Sequence, residues 1–259
     1  MRIAVYTNPT KTDNQIKKRV IKLATKMGYT IDDDNPEVVF ACGGDGTILR
    51  AVHAYMDKLD SVNFFGANYG NMGFFYDYES EDIELALQDL KDNKLFPSKH
   101  LLIEGKLYKK NRVIEEICGV NEIRVENNTK PLLCDVYINK SLFEHYVGTG
   151  VVVSTSIGST AYNLTLSGSA VLTNFETLQL TLVQPSKQHQ GFKSSLVMNI
   201  ETEIKFDFSK YNHDVLLGYD FVVNEQTRFD SIVIRSSKKA FTLLSKSQEP
   251  QYRLRKLFN

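Results

Sequence analysis

The chain has 259 residues, with 31 basic and 31 acidic side chains and 42% hydrophobic residues. Balanced charge gives no electrostatic reason for a nucleic-acid or acidic-membrane partner, and there is no apolar stretch of about 18 residues to span a membrane. The length allows one large domain or two modest ones. The N-terminus, Met1-Arg2-Ile3-Ala4-Val5, reads as a strand and not as a signal peptide. Cys42, Cys118 and Cys134 lie scattered in apolar runs without metal spacing, which fits buried thiols in a reducing cytoplasm.

In chain order, Ile3 to Thr7 predicts a short strand, and Asp13 is expected to cap a helix whose apolar positions Ile16, Val20, Leu23, Ala24 and Met27 follow the helical period up to Gly28. Tyr29 to Ile31 predicts a second strand. Asp32, Asp33 and Asp34 follow in a polar loop, where a solvated loop is a simpler reading than a metal site. The apolar run Val38 to Cys42 predicts a buried strand. It leads into Gly43-Gly44-Asp45-Gly46-Thr47 and then a helix-like stretch from Ile48 to Leu59. This is strand, glycine turn, helix. Glycines allow close backbone approach to a ligand, and the helix N-terminus behind them offers free N–H groups and partial positive charge to a phosphate. Asp45 within such a cradle opposes phosphate unless it holds a metal, takes a proton or fixes a hydroxyl; otherwise it is a helix-capping residue. The stretch matches neither Gly-x-Gly-x-x-Gly nor a P-loop, which requires a Lys.

Val62 to Phe65 predicts another strand, ended by Gly66. The loop Asn68-Tyr69-Gly70-Asn71-Met72-Gly73-Phe74 allows unusual backbone angles, and Asn68 is suited to hydrogen-bond a ligand. Ser80 leads into a helix with Ile83, Leu87 and Leu90 on one face. Alternating strands and helices up to about residue 95 predict a Rossmann-like parallel sheet, with ligands at the strands' C-terminal ends. After Pro97 the period becomes two, as in Cys134, Val136 and Ile138, in Ile204, Phe206 and Phe208, and in Ile232 and Ile234. That pattern predicts an antiparallel β-sandwich or barrel. The expected fold is therefore α/β plus all-β, with residues 1–98 as the α/β domain and 99–240 as the β domain. Residues 241–259 form a strand and a mobile basic tail, the strand at Phe241 to Leu244 returning to the first domain.

Two stretches break the β pattern. Asn121-Glu122 places an amide beside a carboxylate at a strand end, a pair able to read a base edge or ribose diol and equally at home in a plain turn. Ser154 to Asn163 packs six hydroxyl side chains, one glycine and one amide into ten residues. Such donors suit phosphate or sugar, and the same composition fits a Ser/Thr-rich turn opening a short helix. No Ser/His/Asp order or nucleophile elbow points to hydrolysis.

Together these stretches resemble the NAD kinase family: Gly-Gly-Asp-Gly-Thr at 43–47, Asn68-x-Gly70-x-x-Gly73-Phe74, Asn121-Glu122, Ser154-Thr155-x-x-Gly158-Ser159-Thr160-Ala161-Tyr162-Asn163, and Asp220 in a late turn. The first motif alone is shared with lipid kinases and phosphofructokinases, whereas the set is specific. The resemblance implies that Asp45 accepts the proton of the 2′-hydroxyl on the adenosine ribose of NAD, whose oxygen attacks the γ-phosphorus of ATP to give NADP. It implies that Asn121 and Glu122 hold ribose and adenine groups, that Thr160, Ala161 and Tyr162 line the adenine pocket, and that Gly46 and Phe74 lie against the dinucleotide. The wider binding set it implies comprises Gly43, Gly44, Thr47, Arg50, Asn68, Gly70, Gly73, Thr149, Ser159, Asn163, Thr165 and Gln184. ATP and NAD are the implied partners, with Mg²⁺ or another divalent metal accompanying ATP, a cytoplasmic location, and assembly as a homodimer or homotetramer. No protein metal ligand is expected.

The chain departs from the family at Val147 and Thr149, where a base and an acid are usual, at Ser156 in place of Pro, and at Ser167 in place of the first of two glycines. These changes bear on contacts to the distal part of the dinucleotide and on the choice between NAD and NADH. Two other readings remain: a kinase of another hydroxylated substrate such as a lipid, and a dinucleotide-binding protein without catalysis.

Overall fold

The computed structural model describes residues 1–9, 11–70, 73–127, 129–211, 215–225 and 228–258, with only the backbone of 11–13. Asn71 and Met72 of the loop after Asn68 lie outside these residues. The chain divides into two compact units, one made of residues 1–100 and 239–259, the other of 101–238.

In the first unit, β1 (Arg2–Thr7), α1 (Lys11–Lys26), β2 (Thr30–Ile31), β3 (Val38–Gly43), α2 (Asp45–Ala54), β4 (Asn63–Asn68), β5 (Tyr78–Glu79) and α3 (Ile83–Lys91) alternate as expected. The sheet is parallel, in the order β2-β1-β3-β4, with β5 beside β4. Ile3, Val5, Val38, Phe40, Phe65 and Ala67 form its core with Val20 and Ala24 of α1 and Ile83, Leu87 and Leu90 of α3.

Several local expectations are corrected. α1 starts at Lys11, so Asp13 lies inside the helix and not at its cap. α2 spans Asp45–Ala54 and not Ile48 to Leu59; it begins directly behind the glycine turn and ends at Tyr55, whose hydroxyl donates to the Asp33 carbonyl at 2.8 Å. Gly66 does not end its strand. It sits inside β4, where a Cβ would lie 1.8 Å from the Ala41 carbonyl oxygen of β3. Glycine there permits close strand approach, not a turn. The acidic loop closes on itself, with Asp32 accepting the N–H groups of Asp34 and Asn35 at 3.0 and 2.8 Å.

Two long strands, β6 (Phe96–Lys109) and one near the C-terminus, carry the chain from one unit into the other. Between them run β7 (Arg112–Gly119), β8 (Glu122–Glu126), β9 (Leu132–Ile138), β10 (Ser141–Gly148), β11 (Gly150–Thr155), α4 (Tyr162–Thr165), β12 (Thr177–Val183), β13 (Ser195–Asn199), β14 (Ile204–Asp207), β15 (Leu216–Tyr219) and β16 (Val222–Asn224); β17 (Ser231–Ser245) follows. In the second unit one sheet has the order β10-β9-β14-β17-β6-β7 and the other β13-β12-β11-β8-β15-β16. Val125, Val151, Val153, Leu178 and Leu180 from one sheet share a core with Ile103, Cys134, Val136, Ile204, Phe206 and Ile232 from the other. This is the antiparallel sandwich that the period-two pattern predicts. Asp135 breaks that pattern. It points to the polar side by period, yet it is buried and accepts hydrogen bonds from His145 Nδ1, Lys210 Nζ and Tyr211 Oη at 2.6, 2.6 and 2.9 Å.

Phe241 to Leu244, expected as a strand returning to the first domain, is the end of β17 and pairs in parallel with β4 of the first unit at Thr242–Asn63 and Leu243–Phe64. The rest of the C-terminal stretch differs from expectation. The tail is not loose. Residues Tyr252–Phe258 form α5, and Arg253 within it is buried. Among the described residues no helix is long and apolar enough to cross a membrane.

Candidate active site

In the first unit the glycine turn joins β3 to α2. Gly44 is the N-cap and makes no side-chain capping bond, so Asp45 is the first helical residue and not a cap. Its carboxylate instead accepts two backbone N–H bonds, from Phe74 to Oδ2 and from Phe75 to Oδ1, both at 3.1 Å. Burial pushes its pKa above the usual carboxylate value, while the Phe75 and Phe74 N–H groups and the charges of Arg253 and Lys256 pull it back. Thr47 is buried, and its Oγ1 accepts from Asn8 Nδ2 at 3.0 Å. Gly43 has φ +154°, and a Cβ there would lie 2.1 Å from Thr47 Oγ1. Gly46 and Arg50 are exposed on α2, and a Cβ at Gly46 would meet nothing within 4 Å among the described residues.

Asn68 is buried at the end of β4 and is engaged by its own loop. Its Nδ2 donates to the Gly70 carbonyl and to Glu79 Oε2, and its Oδ1 accepts the Gly70 N–H at 2.9 Å. The Gly73 carbonyl accepts the N–H of Tyr76. The Phe74 ring is buried against Phe75, so its contribution at Asp45 is its backbone N–H.

In the second unit, Asn121 directly precedes β8 and Glu122 opens it. The backbone before them is fixed by Asp220, whose Oδ2 and Oδ1 accept the N–H groups of Val120 and Asn121 at 2.8 and 2.7 Å. Thr155 holds the other side, its Oγ1 donating to the Val120 carbonyl and its N–H to the Asn121 carbonyl. Both side chains are buried, and each has an oxygen without a partner among the described residues: Asn121 Oδ1 and Glu122 Oε2. Burial, the Asp220 charge and Glu126 push the Glu122 pKa up to about 8, against Arg124, whose Nη1 lies 3.2 Å from Glu122 Oε1.

Arg124 and Glu126 extend this group along β8. Arg124 lies 3.4 Å from Glu126 and 5.3 Å over the Tyr162 ring, and Tyr162 Oη donates to Glu126 Oε1 at 2.7 Å. Thr160, Ala161 and Tyr162 are half-buried; Ser159 is buried, and its Oγ accepts the Val171 N–H. Asn163 is fully buried, donating to the Ser159 carbonyl and Gln179 Oε1 and accepting from Thr181 Oγ1, so its amide is occupied by the fold. Thr165 is exposed and donates to the Tyr162 carbonyl. Thr149 pairs with exposed Gln184 through an Oγ1–Oε1 bond of 3.3 Å.

The expected residues therefore gather into a carboxylate turn in one unit and a buried amide–carboxylate pair in the other. Sequence reasoning missed Arg124, Glu126 and Arg253. The first two carried a signal, because Glu122, Arg124 and Glu126 alternate along one strand and so share a face. Arg253 carried none, since nothing local marks a tail arginine as buried.

A glycine turn with a held carboxylate, on an α/β unit joined to a β-sandwich bearing buried, unpartnered polar oxygens, defines a nucleotide-binding protein of phosphotransferase type. The model of the ATP-NAD kinase C-terminal domain matches residues 120–245. The chain is 37% identical over 186 residues to an NAD kinase of Latilactobacillus sakei, covering 70% of this chain and 68% of that protein. Its fold is similar to that of yeast NADH kinase solved with NADH (TM-score 0.84, 16% identity, all of this chain and 86% of that one). An NAD kinase of Archaeoglobus fulgidus solved with ATP is also similar (TM-score 0.79, 21% identity, all of this chain and 97% of that one). The chain belongs to the NAD kinase family.

Proposed function

We propose that the protein transfers the γ-phosphoryl group of ATP to the 2′-hydroxyl of the adenosine ribose of NAD, giving NADP and ADP. Family membership supports the reaction. The observation that carries its assignment to these residues is the pair of unpartnered buried oxygens, Asn121 Oδ1 and Glu122 Oε2. A buried polar atom without a partner costs about 1–3 kcal/mol, so such a pair calls for a polar ligand; ribose hydroxyls, which both donate and accept, and the adenine amine supply partners. Asn121 and Glu122 hold these groups, and Thr160, Ala161 and Tyr162 line the adenine.

Asp45 accepts the proton of the attacking hydroxyl. Its two backbone bonds fix the carboxylate, and an orienting group suits phosphoryl transfer, which depends on positioning and charge neutralisation more than on covalent chemistry. The open face at Gly46, at the start of α2, suits the approach of a phosphate. The exposed positions Arg50, Thr165, Thr149 and Gln184 belong to the wider binding set.

Mg²⁺ or another divalent metal enters with ATP. Among the described residues no three His, Cys, Asp or Glu side chains cluster as a metal site, and Mg²⁺ commonly relies on substrate phosphates, its waters and one or two carboxylates. The metal neutralises phosphate charge when bound. The working location is the cytoplasm and the working form a homodimer or homotetramer.

The test is NADP formation from ATP, Mg²⁺ and NAD, coupled to an NADP-specific dehydrogenase. NADP production supports the reading; NAD binding without turnover supports a non-catalytic dinucleotide-binding protein, and neither binding nor turnover with NAD returns attention to a lipid substrate.

A further inference from the structure

The Phe74–Phe75 peptide is bonded at both ends. Its N–H, on Phe75, donates to Asp45 Oδ1 at 3.1 Å, and its carbonyl, on Phe74, accepts Arg253 Nη1 at 2.9 Å. An arginine on the C-terminal helix is thus linked to the turn carboxylate through one peptide group. Such chains of hydrogen bonds polarise one another in a low-dielectric interior. Neighbouring bonds hold the same loop: Lys256 Nζ donates to the Tyr76 carbonyl, and Tyr76 Oη donates to the Gly44 carbonyl at 3.0 Å.

The arginine is itself costly to place there. It is buried in the protein interior, where an unpaired charge is strongly disfavoured. Its ion-pair partner, Asp77, lies at 3.5 Å, and Asp77 Oδ2 is already engaged by Ser245 Oγ and the Lys246 N–H at 2.7 and 2.8 Å. Arg253 Nη2 has no partner among the described residues. A residue needed only to fill space at this point would be apolar; a buried guanidinium sending a bond through the peptide that holds Asp45 does more than fill space.

Resting on the assignment of Asp45 above, we infer that Arg253 is a positioning residue for the reaction: through the Phe74–Phe75 peptide it fixes the Asp45 carboxylate in place and favours its ionised form. The charged and titratable groups around Asp45 are Tyr76 on the loop and Arg253 and Lys256 on α5. Removing Arg253 leaves Lys256 as the remaining cation. Burial then raises the Asp45 pKa with less opposition, and the acidic limb of the kcat–pH profile moves to higher pH.

The experiment compares Arg253→Gln, Arg253→Lys and Asp45→Asn with the wild type in full kcat and KM profiles against pH, with thermal midpoints recorded. The expected result is a fall of about 10- to 100-fold in kcat for Arg253→Gln, little change in KM for ATP or NAD, an acidic limb displaced upward, and substantial recovery in Arg253→Lys, which keeps a charge and a donor. A wild-type limb and kcat in folded Arg253→Gln, or a rate loss in both Arg253 variants with the limb unmoved, overturns the inference and leaves only a structural role. If Asp45→Asn keeps wild-type activity, the assignment of Asp45 fails and the role of Arg253 falls with it. If Asp45→Asn is inactive while Arg253→Gln behaves as wild type, only the role of Arg253 is lost.

Discussion

Asp220 closes the turn that presents Asn121, taking the N–H groups of Val120 and Asn121 on its two carboxylate oxygens at 2.8 and 2.7 Å from about a hundred residues further along the chain. Asp220 itself has φ +46°, a left-handed conformation uncommon outside glycine, asparagine and aspartate. Asparagine in its place keeps the backbone conformation but offers only one oxygen to the two N–H groups. Asp220→Asn is therefore expected to lower stability by about 1–3 kcal/mol and to weaken NAD binding more than ATP binding. Chemical denaturation and isothermal titration of each nucleotide check both outcomes; equal loss for the two nucleotides would show that Asp220 acts on the fold alone.

Glu122 gives a pH signature. Its folded pKa, about 8, lies above the ordinary glutamate value of 4.5, so the folded state holds this proton more tightly than the unfolded chain does. The resulting stability is fully present below about pH 4.5 and is lost as pH rises through about 8. Glu122→Gln removes the titration, and its melting temperature should fall less than the wild type's between pH 5 and pH 9. Parallel curves would mean that Glu122 is ionised throughout.

Two glycines on neighbouring elements should respond oppositely. Gly66→Ala drives a methyl group into the Ala41 carbonyl, 1.8 Å from the ideal Cβ. Overpacking usually costs about 1–3 kcal/mol, and contact with backbone in a buried parallel strand puts this substitution at or beyond the top of that range. Gly46→Ala meets no atom of the described residues within 4 Å and sits in the first turn of a helix, so stability should stay within about 0.5 kcal/mol. Activity should nonetheless fall about tenfold or more if a ligand approaches the helix start closely there. Thermal melts and steady-state rates of both variants decide the point.

Much of this was legible in the chain. The change from helical period to period two near Pro97 marked the parallel-sheet unit and the sandwich, because side-chain burial imposes those periods directly. The motif stretches that carry the resemblance to the NAD kinase family likewise lay in local spacing, and the chain belongs to that family. What was not legible depended on contacts distant in sequence. Gly66 reads as a strand end, and only the nearness of β3 makes it an interior residue. Asp135 alternates with apolar neighbours and so reads as solvent-facing; its burial is made tolerable by His145, Lys210 and Tyr211, two of them distant in sequence. Arg253 sits in a basic tail that looks mobile, and its place at the Phe74 carbonyl follows from α5 folding back within the first unit. Asn68 and Asn163 read as ligand groups, whereas their amides are largely taken up in holding their own loops.

The most direct measurement is NADP formation by the purified protein with ATP, Mg²⁺ and NAD, run beside Asp45→Asn. A general base is worth about 10²–10⁴-fold, so the wild type should turn over while the variant, still folded and still binding NAD, loses at least about a hundredfold in kcat. A folded Asp45→Asn protein within a few-fold of the wild type, or a wild type that binds NAD and forms no NADP, would contradict the account.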